Sequence, residues 1–490
     1  MSPFPAWVEP YAGQQFIAGA WRTGSGDWDV VDFDPWTGEK LTAITVATAA
    51  EVDTAYRAAE QAQRDWAVTG PHQRRSVLLR AAKVLADREA EIAEAMTTEL
   101  GATRWRAAHE VALARDFLDE AAQLPLRSEG RVVPSSVDGK ENHVTRVPCG
   151  TVCVIGPATF PLLLALKPVA AALALGNAVV LKPHQAAPVC GGAVIARLFQ
   201  EAGLPDGLLS VLTTDVAEVG DALIEHRVPQ VVCFTGSEES GRHVAAVAGR
   251  NLKRAVLETG GTTSLLVLDD ADLDQAAGAA VFSRFLDAGR LCMSASRLLV
   301  DEAVLEPFTE RLLARVTALR AGDPRDPDVQ VGPLMAARDA ERLDADVRAA
   351  VAAGARLLTG GARAGNLLPP TVLTDVPADA ALLRREIFGP VVVVRGVAGE
   401  DEAVRVANAT PSGLSGAVFT RDIRRGLRVA QRVESGVVHV NDATLADEPL
   451  VPFGSEKRSG LGRLNGEAMV DAFTTAKWIS VRHGQGTYPL

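Results

Sequence analysis

From about residue 151 the chain alternates short apolar runs with helix-like segments. The runs are TVCVI (151–155), AVVLK (178–182), LLSVL (208–212), VVCF (231–234), AVLE (255–258) and SLLVL (264–268). Runs of this length, rich in β-branched residues and separated by helical stretches, predict crossover units around a parallel sheet. A second alternation, through RLLV (297–300), VVVV (391–394), AVFT (417–420) and GVVHV (436–440), predicts a second α/β domain. The region before residue 125 reads as helical after a short extended entry at 16–21. Thr48 and Glu51 have capping-box spacing and open a helix to about Trp66. Pro71 suits the first turn of the next helix, which runs toward Gly101, a residue fit to stop it. Residues 103–124 read as a further helix. The polar stretch 126–148 predicts a hairpin or protruding arm, and 472–482 a helix end followed by a strand. The longest apolar run, FPLLLALKPVAAALA, is broken by Lys167 and Pro168, and predicts a buried helix rather than a membrane span.

Composition narrows the function classes. The chain has 490 residues, enough for two or three domains with a large core. A net charge of -11 argues against a nucleic-acid partner or an anionic membrane surface, because both need a basic footprint. The five cysteines are odd in number, irregularly spaced and free of any Cys-x-x-Cys pair. No disulfide framework and no metal site is therefore expected. A reducing, cytoplasmic setting fits that usage. The N-terminus lacks the basic and apolar regions of a signal peptide.

Several segments carry chemistry. In FTGSEESG (234–241) a strand ends, Gly236 makes a turn and Ser237 opens a helix. Free N–H groups at a helix start make a pyrophosphate seat, although the same residues also make an ordinary capped turn. No Gly-x-Gly-x-x-Gly fingerprint occurs, so any dinucleotide would bind by a variant mode. Lys182 ends a strand, where ligands of open parallel sheets bind; it is equally a surface lysine. Glu258 precedes two glycines at a strand end and could act as a general base. Cys292 follows Gly289-Arg-Leu, and Arg290 stands close enough in sequence to favour a thiolate. The other four cysteines read as buried and inert, Cys153 and Cys233 within core strands.

The order of these segments is what is specific. Over essentially the whole chain the sequence resembles the aldehyde dehydrogenase superfamily. The matching stretches are FIAGAW (16–21), GPATFP (156–161), GNAVVLKP (176–183), EAGLP (201–205), FTGS (234–237), LETGG (257–261), GRLC (289–292), EIFGP (386–390) and PFGSEKRSGLGR (452–463). CGGAVIARLFQEAGLP (190–205) and NDATLADEPLVPFG (441–454) look more like its benzaldehyde and vanillin dehydrogenase branch. The resemblance implies two open-sheet α/β domains, a variant Rossmann cofactor domain (1–125 and 149–260) and a catalytic domain (261–465). It implies an oligomerisation arm from 126–148 and 475–490, in a homodimer or homotetramer. It implies NAD or NADP as cofactor and a small aldehyde, aromatic by branch, as substrate. Cys292 would be the nucleophile, Glu258 the base that activates water, and Lys182 with residue 185 the holders of the adenosine ribose. Gly236 and Ser237 would seat the pyrophosphate; Glu386 would hold the nicotinamide ribose with Phe388 beside it. Leu163, Lys167, Arg290, Met293 and Phe453 would border the substrate.

The departures from the family pattern matter as much. The oxyanion-hole asparagine of relatives falls at Thr159, which is shorter and has one freely turning proton. The neighbouring position, often Trp or Phe, is Ala158. Arg290 replaces a usual glutamine, and is expected either to acidify Cys292 or bind an anionic substrate group, or to turn outward into a salt bridge. Lys167 stands one place before the position where many relatives carry lysine, and reads either as facing the substrate or as a helix-surface residue. Gln185 replaces a ribose-binding glutamate; losing that charge is expected to let NADP bind. Thr159 and Arg290 leave room for a same-fold enzyme of altered outcome, such as acyl transfer or a specialised biosynthetic step, or for a weakly active homologue.

Overall fold

The computed structural model describes residues 3–486 and 488. The alternating apolar runs form two sheets. The first has eight strands in the order Ala20–Arg22, Gln15–Ile17, Leu209–Val211, Ala178–Lys182, Thr151–Ile155, Pro229–Gly236, Arg254–Thr259, Gly460–Leu461. The five central strands are parallel, with Cys153 opposite Val180 and Phe234 opposite Leu257. The second sheet has seven strands, Arg356–Thr359, Thr371–Thr374, Val391–Val397, Ala295–Asp301, Thr263–Val267, Ser415–Phe419 and Val437–Val440, parallel except at its first pair. Helices cover both, so the central strands are buried on two faces and read as unbroken apolar runs, while the edge strands are half-buried or exposed. The helix Pro161–Ala174 is buried along its whole length except at Leu164, although Lys167 lies within it.

The capping box at Thr48 and Glu51 is formed, and the helix it opens is Ala49–Val68. The expected single helix toward Gly101 is two, Pro71–Asp87 and Glu89–Leu100. Arg88 leaves helical geometry between them, pairs with Glu91 at 2.8 Å and lies over the Trp7 ring. Gly101 ends the second helix in the left-handed region at φ 62°. A hairpin, Asp29–Phe33 with Lys40–Thr45, adds to the expected elements. The arm is a hairpin, Arg131–Pro134 and Lys140–Pro148, and Thr474–Arg482 pairs along the full length of its second strand. Residues 487, 489 and 490 of the expected terminal strand lie outside the described residues. Among the described residues no helix is long and apolar enough to cross a membrane.

Candidate active site

A cavity of about 1180 Å³ opens between the C-terminal ends of the first sheet and the loops of the second. It is lined by Thr159, Lys182, Gln185, Gly236, Ser237, Glu258, Arg290, Cys292, Glu386 and Phe388. Ten of the residues singled out in the sequence thus border one space. Leu163, Lys167, Met293 and Phe453 are not on its wall. Met293 and Phe453 pack with Leu414 in a small apolar cluster against Cys292. Leu163 is buried in the main core, its N–H donating to Glu110 at 3.0 Å.

The backbone before Cys292 is strained. Asp287 and Ala288 (both φ 51°) and Gly289 (φ 69°) are successively left-handed. Each non-glycine residue so held costs about 1–3 kcal/mol. A Cβ on Gly289 would stand 2.4 Å from the Gly389 carbonyl oxygen, so glycine is required there. Ion pairs hold what the backbone resists: Arg106 meets Asp287 at 3.0 Å, and Arg290 meets it at 2.7 Å. On the other side, Thr444 donates to the Met293 carbonyl at 2.7 Å and Ser294 to the Ser283 carbonyl at 2.8 Å.

Arg290 takes neither of the roles expected of it. Its guanidinium turns inward, donating to the Asp287 carboxylate and carbonyl and to the Leu100 carbonyl (3.0 Å). It neither faces the thiol nor reaches solvent, and serves the loop instead. The cation that acts on Cys292 is Lys167. Lys167 is buried, paired with Asp447 at 2.8 Å, and held between the Phe117 and Phe453 rings (4.9 and 4.5 Å). Asp447 and Glu258 raise its pKa against the opposing effect of burial. Lys167 is therefore not a helix-surface residue.

Cys292 is partly accessible, but protein surrounds its sulfur. Burial, then Glu386 and Glu258, push the thiol up to about 12, with Lys167 opposing. The expected electropositive setting is thus absent in the resting pocket, and ionisation there requires a base. Glu258 is buried, with one carboxylate oxygen lacking any hydrogen-bond partner among the described residues. Burial raises its pKa, Lys167 lowers it, and Asp447 raises it further. A raised carboxylate pKa suits a base that works near neutrality. Glu386 is exposed to the cavity as a residue, yet desolvation between the cavity walls pushes its carboxyl up to about 7. A Cβ on Gly260 would stand 2.2 Å from that carboxylate, so the glycine admits it. Buried Arg284 donates to the Ile387 and Gly389 carbonyls and fixes this loop.

At the far end of the cavity, Ser237 caps the helix Glu238–Arg250 by accepting from the Ser240 N–H. Gly241 allows that helix to pack on the sheet, since a Cβ would stand 2.7 Å from Thr259. Burial lowers the Lys182 pKa and Asp215 raises it. Gln185 donates to the Thr214 carbonyl at 3.3 Å and to the Asp215 carboxylate. Of the cysteines expected to be inert, Cys153, Cys190 and Cys233 are buried, whereas Cys149 is half-exposed beside Arg254 (3.5 Å). Reading the sequence did not find Arg106, Glu110, Asp215, Arg284, Asp287 or Asp447. Each is an ordinary charge until the fold brings its partner to it.

A thiol, a buried carboxylate and a long cleft at strand ends, with a helix N-terminus on its wall, define a nucleotide-dependent enzyme with a covalent route. The aldehyde dehydrogenase family model matches residues 21–479. The chain is 46% identical to the benzaldehyde dehydrogenase of Bacillus subtilis (strain 168), covering 97% of this chain and 98% of that one. The structure superimposes on a salicylaldehyde dehydrogenase from Pseudomonas putida G7, solved with salicylaldehyde, with a TM-score of 0.94 and 36% identity, covering 97% and 99%. It also matches a NAD-dependent benzaldehyde dehydrogenase from Corynebacterium glutamicum, with a TM-score of 0.89 and 38% identity, covering 96% and 97%. The chain belongs to the aldehyde dehydrogenase family. It is an NAD(P)-dependent aldehyde oxidoreductase.

Proposed function

We propose that this enzyme oxidises an aromatic aldehyde to its carboxylic acid at Cys292. The observation that carries the reading is the presence of Cys292, Glu258 and Thr159 in the lining of one cavity, with the apolar cluster of Met293, Leu414 and Phe453 packed against Cys292. The names of the relatives support an aromatic ring in that position. Residues 1–125 and 149–260 would form the cofactor domain and 261–465 the catalytic domain. The paired strands of 131–134, 140–148 and 474–482 leave edges suited to a partner subunit in a homodimer or homotetramer. A cytoplasmic location fits the free thiols.

The donor set fits a nicotinamide dinucleotide. Among the described residues, the Lys182 ammonium donates no hydrogen bond to protein, the helix start at Ser237 offers free N–H groups, and Glu386 offers an acceptor at the other end. Lys182 and Gln185 would hold the adenosine ribose, Gly236 and Ser237 the pyrophosphate, and Glu386 with Phe388 the nicotinamide ribose. The bound nicotinamide supplies a hydride acceptor. Glu258, directly or through a water, takes the proton of Cys292. The sulfur bonds to the carbonyl carbon, and the carbonyl oxygen becomes an oxyanion facing the Cys292 N–H and the Thr159 hydroxyl. After hydride loss the acyl group is a thioester on the sulfur. Once Glu258 has released that first proton to solvent it deprotonates a water; the water oxygen bonds the acyl carbon, the carbon–sulfur bond breaks to return the thiolate, which takes a proton, and the acid leaves. Glu258 beside the thiol favours hydrolysis over acyl transfer to another acceptor.

The test is turnover of purified protein with NAD or NADP across aromatic and aliphatic aldehydes, followed by absorbance of the reduced cofactor. Preference for aromatic substrates is expected; turnover of aliphatic aldehydes alone would overturn the substrate class. Thr159→Asn is expected to raise kcat on benzaldehyde by about tenfold or more. A fixed amide donor restores part of the roughly 10²–10³ that one oxyanion donor is worth. An unchanged or lower kcat would mean that the threonine hydroxyl already serves.

A further inference from the structure

The sequence expectation that NADP binds rests on one missing charge at Gln185. The structure returns a charge to the same corner from a different strand. Asp215 follows the strand Leu209–Val211, adjacent to the strand that ends at Lys182. One Asp215 oxygen accepts from the Ala217 N–H at 2.7 Å and caps a short turn; the other accepts from the Gln185 amide. The Thr214 carbonyl takes the same amide nitrogen at 3.3 Å. Gln185 is thereby oriented. Its NH₂ faces protein, and its carbonyl oxygen, with no protein donor among the described residues, is the atom left for a ligand.

An acceptor-only amide backed by a carboxylate has a definite preference. A ribose 2′-hydroxyl can donate to the Gln185 oxygen. A 2′-phosphate brings only acceptors and about two negative charges, and meets an acceptor and then Asp215. Turning the amide to donate to a phosphate would break its bond to Asp215 and leave that carboxylate nearer the phosphate. Two cations act in this corner. Lys182 is already drawn toward Asp215, and Arg338, on the helix Ala337–Ala352, is felt at His184, which burial, Lys182 and Arg338 push down to about 4. His184 is neutral at pH 7 and adds no third positive charge.

We propose that Asp215, acting through the orientation of Gln185, selects a free 2′-hydroxyl over a 2′-phosphate, so that the enzyme prefers NAD to NADP. This rests on the reading that Lys182 and Gln185 border the adenosine ribose. The test is calorimetric binding of NAD and NADP to the purified protein, with steady-state kcat/KM for both beside it. Wild type is expected to bind NAD at least about tenfold more tightly than NADP, the scale of one uncompensated charge contact at a partly screened site. Asp215→Asn, which keeps an acceptor for the Ala217 N–H, is expected to narrow the gap by about tenfold, chiefly through tighter NADP. Asp215→Ser, which also keeps a capping oxygen, is expected to act in the same direction. NADP binding as tight as NAD in wild type would overturn the proposal, as would an unchanged ratio in both variants. Binding of neither dinucleotide would instead overturn the cofactor reading of the cavity, and this proposal with it.

Discussion

Glu258→Gln is expected to lower steady-state aldehyde oxidation by about 10²–10⁴-fold, the usual worth of a positioned base. Cys292→Ser is expected to lower it further, because a serine hydroxyl at that position ionises far less readily than the thiol. The two variants should differ in kind as well as degree. In Glu258→Gln the sulfur can still attack slowly, so mass spectrometry under substrate and cofactor should find acyl groups accumulating on Cys292. In Cys292→Ser no acyl-enzyme is expected on the measuring timescale. The pH profile separates the roles further. A thiol near 12 is thiolate to only about one part in 10⁵ at pH 7. If Glu258 takes the proton, wild-type kcat/KM rises with pH only until Glu258 is ionised, at a value raised above the ordinary carboxylate range by burial. It then flattens, since further base adds nothing. In Glu258→Gln the flattening should vanish, and the rate should climb about tenfold per pH unit into the alkaline range as hydroxide replaces the carboxylate. Profiles of the same shape in wild type and variant would remove Glu258 as the acceptor of that proton.

What was legible in the sequence follows from the physics of each feature. Parallel strands buried on both faces give continuous apolar runs, and all ten such runs lie on strands of the two sheets. Local backbone chemistry was readable too: the Thr48 capping box joins residues three apart, and Gly101 takes the left-handed conformation that ends its helix. In the hairpin of Asp29–Phe33 and Lys40–Thr45 the turn residues Asp34, Pro35 and Gly38 carried a usable signal, whereas the first strand buries Val30 and Asp32 and exposes Val31 and Phe33, so its hydrophobicity does not mark the inward face. The long-range polar pairs carried none. Lys167 meets Asp447 across 280 positions and Gln185 meets Asp215 across 30. Neither partner has a periodicity that marks the other. Arg290 shows the converse error. Proximity in sequence to Cys292 invited an electrostatic role, but two left-handed residues and a glycine turn its side chain toward Asp287 instead.

The buried charge cluster beneath this loop is where a single substitution should cost most in stability. Arg106 is wholly buried; it pairs with Glu110 at 2.5 Å and with Asp287 at 3.0 Å, and lies 4.1 Å over the Phe160 ring. Phe160 adjoins Thr159 and holds φ at 43°, while Asp287 opens the loop to Cys292. One side chain therefore braces both strained segments of the site. Glu110 extends the contact by accepting the Leu163 N–H. Arg106→Met removes the cation and leaves Glu110 buried without its counter-charge, a change worth about 3–5 kcal/mol in comparable cases. A fall of that size in urea-unfolding free energy is expected, with kcat reduced more than KM as the two loops lose registry. Arg106→Lys keeps the charge but not the planar fork that spans two carboxylates, and should recover part of both. The double variant Arg106→Met with Glu110→Leu distinguishes buried charge from lost packing. Asp287 keeps Arg290 at 2.7 Å, so removing Glu110 as well leaves no bare carboxylate, and stability should rise above that of the single variant. Full recovery is not expected, because Leu163 loses the acceptor for its N–H. A double variant less stable than Arg106→Met alone would mean that the Glu110–Leu163 bond, rather than the ion pair, holds the helix start beside Thr159.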